Sequence, residues 1–139
     1  MKQKVVVLGA GRVGKAIAAD LSDDFAVISA DVNHNALEFL SSHYGVNTRA
    51  TDLGDSGAVR EVIGDAALVV CAVLGKMGFN TLKTVIESGK DVVDISFFPE
   101  DAFELHELAV GRNVTALVDC GVAPGTPDFL TGFFAGQMQ

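Results

Sequence analysis

Three glycines near the amino terminus have the spacing of a phosphate-binding turn. Gly9, Gly11 and Gly14 form the pattern G-x-G-x-x-G directly after the apolar run 4–8. The first glycine permits a tight bend, the second lets backbone N–H groups approach a pyrophosphate, and the third lets the next helix pack on the strand. The pattern predicts a dinucleotide site, with an ordinary glycine-rich turn as the alternative. Two further candidates for this site lie inside the pattern: Arg12 and Val13.

An acidic residue follows the second apolar run where such a site needs one. Asp31 comes directly after the run 25–30, at about the spacing from Gly9 at which a carboxylate accepts hydrogen bonds from the adenosine ribose. A carboxylate here also repels a 2′-phosphate, so the sequence favours NAD over NADP. Arg12 and Arg49 leave NADP open, because either cation could turn toward such a phosphate.

Composition narrows the class of protein. The chain has 139 residues, 49% of them hydrophobic, and a mean hydropathy of +0.36, which suits one domain with a sizeable core. The net charge of −8 and the scattered basic residues argue against binding to nucleic acid or to a membrane surface. We expect a cytoplasmic protein, because we find neither a signal segment nor an apolar run of about 20 residues. Cys71 and Cys120 are expected to be reduced, mostly structural thiols.

Strand and helix patterns alternate along the chain, which is typical of a parallel sheet covered on both faces. The predicted strands are 4–8, 25–30, 46–50, 66–73, 91–95 and 114–119. They predict an α/β fold with a doubly wound parallel sheet, the Rossmann fold, of about six strands in the order 3-2-1-4-5-6 with a trailing carboxy-terminal helix.

The helices between these strands have apolar spacing and plausible caps. Val13, Ile17 and Leu21 predict a core-facing stripe on the first helix, near 12–22. Gly75 and Gly78 are expected to break the chain before the fourth helix. The predicted N-cap residues of three other helices are Asn33, Ser56 and Thr126.

Ligands of doubly wound sheets bind at the carboxyl ends of the strands, where the winding reverses between the first and fourth strands. The sequence therefore predicts one rim that carries the residues following several strands. These residues are Gly9 to Gly14, Asp31, Asp52, Leu74, Gly75 and Ser96.

The carboxy-terminal segment is unusually apolar for a helix at the edge of such a sheet. We divide the chain into a cofactor-binding domain, 1–125, and a helix, 126–139, that leads toward a substrate domain absent from this sequence. Three interpretations remain open for the helix: ordinary packing on the sheet, contact with that domain, or a homodimer. Its large apolar side chains are Phe129, Leu130, Phe133 and Phe134.

Three later segments carry a resemblance to a known family. Residues 72–78 read AVLGKMG, residues 91–101 read DVVDISFFPED, and residues 119–125 read DCGVAPG. Together with the glycine turn they resemble the saccharopine dehydrogenase-like oxidoreductases, especially the lysine 6-dehydrogenase branch, over essentially the whole chain. The resemblance implies NAD(P)-dependent oxidation of a CH–NH donor, an amino acid. It implies an adenine pocket near Asp52 and Leu53, and a nicotinamide site near Ala72, Val73, Leu74, Gly75 and Ser96.

Two positions depart from the family's pattern. Leu74 stands where the family often has proline, which changes the loop on the nicotinamide side. Ala123 stands where saccharopine reductases carry an acid, which favours the lysine dehydrogenase-like branch. Family members also continue into a substrate domain, so we expect the isolated chain to bind NAD(H) weakly and to turn over nothing.

No residue of the predicted rim has a pattern that assigns it the role of catalytic base. Asp94, Asp119, Lys76 and Cys120 each have a simpler structural interpretation, and the three histidines lack metal-ligand spacing. The sequence therefore names no catalytic residue and no metal site. The alternative function is a nucleotide-sensing regulatory domain of the kind that gates potassium transport, which shares the glycine turn and Asp31. The segments 94–101 and 121–125 favour the oxidoreductase.

Overall fold

A computed structural model describes residues 2–138 and contains one parallel sheet. In this described part the strands have the order β3-β2-β1-β4-β5-β6, which confirms the predicted doubly wound topology. All five neighbouring pairs are parallel. The strands are β1 (Lys4–Leu8), β2 (Ala26–Asp31), β3 (Asn47–Ala50), β4 (Leu68–Cys71), β5 (Asp91–Asp94) and β6 (Ala116–Leu117).

Helices connect the strands and cover both faces of the sheet. A short 3-10 helix, Ala102–Leu105, leads into the fifth helix. None of the helices in residues 2–138 is long and apolar enough to cross a membrane. The helices are α1 (Arg12–Leu21), α2 (His34–Tyr44), α3 (Ser56–Val62), α4 (Gly75–Glu87), α5 (His106–Arg112) and α6 (Thr126–Ala135).

The central strand β1 contributes to two hydrophobic cores, because successive side chains of a strand point to opposite faces. Val5 and Val7 pack with α1 and α2 in one core. Val6 and Leu8 pack with α3 and α4 in the other. Burial on both faces explains why the run 5–8 is uninterrupted by polar residues.

The face of α1 differs from the prediction. Val13 is 57% exposed, whereas Gly14 and Ala18 are buried against the sheet. Small residues let the helix approach the strands closely, and they add little to a hydrophobic pattern. The predicted stripe was therefore wrong at Val13, while Ile17 and Leu21 are partly buried.

Of the three predicted N-cap residues, the structure confirms one. Asn33 caps α2, because its side chain accepts from the Ala36 N–H at 3.1 Å. Ser56 is not a cap, since the preceding Asp55 accepts from the Gly57 N–H at 2.8 Å. Thr126 was also predicted wrongly, because it is the first residue of α6 and Gly125 is the N-cap.

The boundaries of two strands and one helix differ from the predicted ones. β4 and β6 are shorter than the apolar runs 66–73 and 114–119. At the end of the second run Asp119 has a φ of 57°, which no strand accommodates. Gly75 and Gly78 do not break the chain, because both lie within the first turn of α4.

α6 lies on the surface without a buried residue. Its apolar side chains are between 44% and 71% exposed, so the interpretation of ordinary packing on the sheet was wrong. These side chains are Phe129, Leu130, Phe133 and Phe134.

Candidate functional site

A cleft of about 590 Å³ lies at the carboxyl ends of the strands, where the winding reverses. The structure brings together twelve of the thirteen predicted site residues around it. Gly75 is the exception. The twelve are Gly9, Gly11, Arg12, Val13, Gly14, Asp31, Asp52, Leu53, Ala72, Val73, Leu74 and Ser96.

Packing fixes two glycines of the turn and leaves the third open. Gly9 has a φ of 105°, and a Cβ there would lie 2.3 Å from the carbonyl oxygen of Ala72. A Cβ on Gly14 would lie 2.0 Å from the carbonyl oxygen of Gly9. No atom of residues 2–138 lies within 4 Å of the corresponding position on Gly11, which borders the cleft. The turn is therefore closely packed except where a ligand needs room.

The amino terminus of α1 meets the cleft with the polarity that an anion requires. Gly11 is its N-cap, and no side chain of the described residues caps the helix. The first N–H groups of such a helix have no intrahelical partner, and they carry the positive end of the helix dipole. Arg12 is the cation among the described residues that line the cleft. This combination suits a phosphate group.

Asp31 joins the end of β2 to the glycine turn. Its Oδ2 accepts from the Ala10 N–H at 2.6 Å, and its Oδ1 accepts from the Asn33 N–H at 2.8 Å. A carboxylate has about four acceptor positions, so it can still accept from hydroxyl groups. Arg49 forms an exposed ion pair with Glu61 of α3, with 3.6 Å between Nη1 and Oε1.

One end of the cleft is formed by residues that follow β2 and β3. Val32 is 62% exposed and offers apolar surface there, and the buried Leu53 also lines the cleft. Asp52 accepts from the Gly54 N–H at 2.9 Å, which shapes the turn. Sequence reasoning missed Val32, although its position directly after Asp31 was a signal.

The other end is formed by the residues after β4 and by a segment after β5, residues 95–97, which we call the wall segment. Leu74 and Phe97 are 68% and 73% exposed and present apolar side chains. Gly75 lies behind this surface, since a Cβ added to it would lie 1.9 Å from the Phe97 carbonyl oxygen. Sequence reasoning missed three residues of this end, each adjoining a predicted residue or one helical turn from it: Met77, Ile95 and Phe97.

A buried carboxyl group lies behind the wall segment. Asp94 has no exposed surface, and its Oδ1 accepts from both the N–H and the hydroxyl of Ser96. Its Oδ2 has no hydrogen-bond partner among the described residues. Burial raises the pKa of Asp94 to about 6, while the hydrogen bonds from Ser96 oppose that rise. Burial likewise raises the pKa of Cys71, beside Asp94 on β4.

The sheet order and the glycine turn after β1 define a Rossmann-like α/β domain. Residues 5–117 match the model of the saccharopine dehydrogenase NADP binding domain. The chain belongs to this family, which confirms the family resemblance of the sequence. The lysine 6-dehydrogenase branch stays a prediction.

Individual relatives agree with the family match. Saccharopine dehydrogenase [NADP(+), L-glutamate-forming] of Saccharomyces cerevisiae is 26% identical over 127 residues, 90% of this chain. The solved apo structure of saccharopine dehydrogenase (L-Glu forming) from Saccharomyces cerevisiae has a TM-score of 0.79 and 26% identity over 88% of this chain. In both comparisons the chain spans 28% of the relative.

A more distant structure shares the fold alone. Scyllo-inositol dehydrogenase from Lactobacillus casei, solved with NAD(H) and scyllo-inositol, has a TM-score of 0.68 and 18% identity. The match covers 85% of this chain and 36% of that protein.

Proposed function

We propose that this chain is the NAD(P)-binding domain of an amino-acid oxidoreductase. The open side-chain position of Gly11, at the uncapped amino terminus of α1, carries the proposal. A pyrophosphate fits there, because N–H groups without partners and the Arg12 guanidinium meet at one place. Membership in the saccharopine dehydrogenase NADP binding domain family supports the same function.

The lining of the cleft supports a site for each part of a dinucleotide. Asp31 has acceptor capacity for the adenosine ribose hydroxyls, and Val32 and Leu53 line the end of the cleft proposed for the adenine. We expect the second nucleoside to bind across the switch point, beside the residues after β4 and the wall segment. When bound, the cofactor supplies hydride transfer, and the chain's residues orient it.

We propose that NAD is preferred to NADP, although the family model is named for NADP. If the adenosine ribose binds at Asp31, the carboxylate repels a 2′-phosphate. The ion pair between Arg49 and Glu61 agrees with the preference, because in it the guanidinium contacts a carboxylate of α3. Arg12 is the cation that would weaken this preference if it turned toward the 2′-phosphate of NADP.

The proposed reaction is oxidation of a C–N bond in an amino acid, with a further domain supplying the substrate site. The coverage of only 28% of the yeast relative supports a larger whole. Ala123, in place of the acid of saccharopine reductases, supports a lysine dehydrogenase-like branch. The exposed apolar side chains of α6 support contact with such a domain or with a second copy.

Calorimetric titration of the 139-residue chain with NADH and NADPH tests the proposal. We expect weak binding of both, stronger for NADH, and no lysine-dependent production of NADH by the chain itself. The absence of heat at millimolar concentrations of both cofactors would disprove the binding function. A nucleotide-sensing domain predicts the same binding, so lysine-dependent turnover by the full-length protein distinguishes the two functions.

A further inference from the structure

A buried carboxyl group lies beside a core cysteine behind the nicotinamide end of the proposed site. Cys71 and Asp94 are direct partners in the parallel pairing of β4 with β5, and neither has exposed surface. Both strands end there, and the chain continues into residues that line the cleft. A carboxyl group here is unexpected, because a buried carboxyl destabilises a fold unless its polar atoms are satisfied.

The hydrogen bonds of Asp94 are unequally divided between its oxygens. Oδ1 accepts from the Ser96 N–H at 2.6 Å and from the Ser96 hydroxyl, whereas Oδ2 has no partner among the described residues. Both donors belong to one residue two positions further along the chain. The carboxyl group therefore acts on the backbone after β5 and not on a neighbouring ion.

The consequence of these bonds is the placement of the wall segment. Ser96 lines the cleft, and its hydroxyl lies 2.6 Å from the place that a Cβ on Gly78 would occupy. The Phe97 carbonyl oxygen lies 1.9 Å from the equivalent place on Gly75. The segment is thus held from below by Asp94 and from the side by the first turn of α4.

We propose that Asp94 is a positioning residue that sets the wall segment against the nicotinamide ring of the bound dinucleotide. The inference rests on the proposed function, because it requires a dinucleotide in the cleft. It assigns no chemical step to Asp94. Since the bonds act only on the end of the cleft formed after β4 and β5, the adenosine end should not depend on them.

Two probes separate the ends of the cleft: NADH, and ADP-ribose, which lacks the nicotinamide ring. We expect Asp94→Ala to weaken NADH binding about tenfold and to change ADP-ribose binding less than about twofold, as measured by calorimetry. Asp94→Asn should retain NADH binding, because its amide oxygen can still accept both bonds from Ser96.

Asp91→Asn is the matched control. Asp91 lies at the other end of β5 and also accepts a backbone N–H, from Thr115 at 2.7 Å. The control should leave the affinities for both probes unchanged. Unchanged NADH binding by Asp94→Ala, equal losses for both probes, or failure of Asp94→Asn to restore binding would overturn the inference.

A second variant covers the case in which Asp94→Ala does not fold. Ser96→Ala removes one of the two donors and keeps the buried carboxyl group, so we expect about threefold weaker NADH binding and unchanged ADP-ribose binding. No change, or an equal loss for both probes, would also overturn the inference. If the unmodified chain binds neither NADH nor ADP-ribose, the proposed function itself fails. If it binds both, and the variants lose neither or both equally, only the role of Asp94 fails.

Discussion

The carboxylate of Asp31 accepts a hydrogen bond of 2.6 Å from the backbone N–H of Ala10, inside the glycine turn. The residue that the sequence predicts to hold the ribose therefore also shapes the turn proposed to hold the pyrophosphate. Because the second oxygen of Asp31 accepts from Asn33, the end of β2 and the glycine turn form one hydrogen-bonded unit. Changes at Asp31 should affect both parts of the site.

Replacing Asp31 tests the cofactor preference. Asp31→Ser removes the charge and the bond to Ala10, so we expect NADH binding to weaken by about tenfold or more. NADPH binding should weaken less, because the repulsion of its 2′-phosphate is also removed. Calorimetry with both cofactors measures the ratio, and Asp20→Ser, at an exposed position of α1, is the control. Equal losses for the two cofactors would contradict the assignment.

The three glycines should separate stability from binding. Gly14→Ala places a Cβ 2.0 Å from the Gly9 carbonyl oxygen, and overpacking of backbone should cost about 3 kcal/mol or more of unfolding free energy. Gly11→Ala meets open space, so it should change stability by less than about 1 kcal/mol and still block cofactor binding. Denaturant unfolding and calorimetry measure the two effects.

Gly111→Ala is the control for these variants, because it lies in α5 with nothing within 4 Å of the new Cβ. It should be neutral or stabilise the fold by about 0.5–1 kcal/mol. Normal stability of Gly14→Ala, or normal cofactor binding by Gly11→Ala, would argue against the described turn.

The buried carboxyl group of Asp94 should make stability depend on pH. Its pKa is raised from 3.8 to about 6, so the folded protein holds this proton more tightly than the unfolded chain. The stabilisation that the bound proton gives to the folded protein is therefore fully present below about pH 4, and it is lost as the pH rises through 6. Asp94→Asn removes this titration, so the stability of the unmodified chain relative to the variant should fall by about 2–3 kcal/mol between pH 4 and pH 8. Parallel stability curves, measured by denaturant unfolding, would refute the raised pKa.

Ser29 offers a stabilising substitution. Its hydroxyl is fully buried in β2 and has no hydrogen-bond partner among the described residues. Ser29→Ala removes an unsatisfied polar group, so it should stabilise the fold by about 1 kcal/mol. Ser42→Ala, on the exposed face of α2, is the comparison and should have little effect. A loss of stability in Ser29→Ala would show that the hydroxyl has a partner.

The exposed face of α6 should be dispensable for folding. Phe129→Ser combined with Phe133→Ser should change the unfolding free energy by less than about 0.5 kcal/mol, because α6 has no buried residue. Leu82→Ala in α4, where the side chain is 1% exposed, should cost about 2–5 kcal/mol. A comparable loss from the α6 variant would mean that this helix packs on the domain in solution.

The sheet and most of the cleft could be predicted because both follow from strong local signals. Apolar runs buried on both faces mark the strands, and parallel order brings their carboxyl ends to one edge. Asp31 and Ser96 were therefore placed at the cleft without knowledge of any contact.

What the sequence could not predict depends on contacts between distant segments. Asp55 and Ser56 are both good caps, and only the path of the chain decides between them. Gly14 and Ala18, not Val13, face the sheet, because close packing selects small residues that carry little hydrophobic signal. The role of Asp94 required the positions of its two oxygens.

The close contact of Gly9 with the Ala72 carbonyl has a consequence for redesign. A larger residue at Gly9 would have no room, so it would displace the turn and with it both ends of the cleft. The two ends of the cleft belong to separate segments: residues 31–34 run from the last residue of β2 to the first of α2, and the wall segment follows β5. Libraries intended to exchange NAD for NADP should therefore vary residues 31–34. Libraries intended to alter the nicotinamide end of the proposed site should vary the wall segment. Both should keep the three glycines of the turn unchanged.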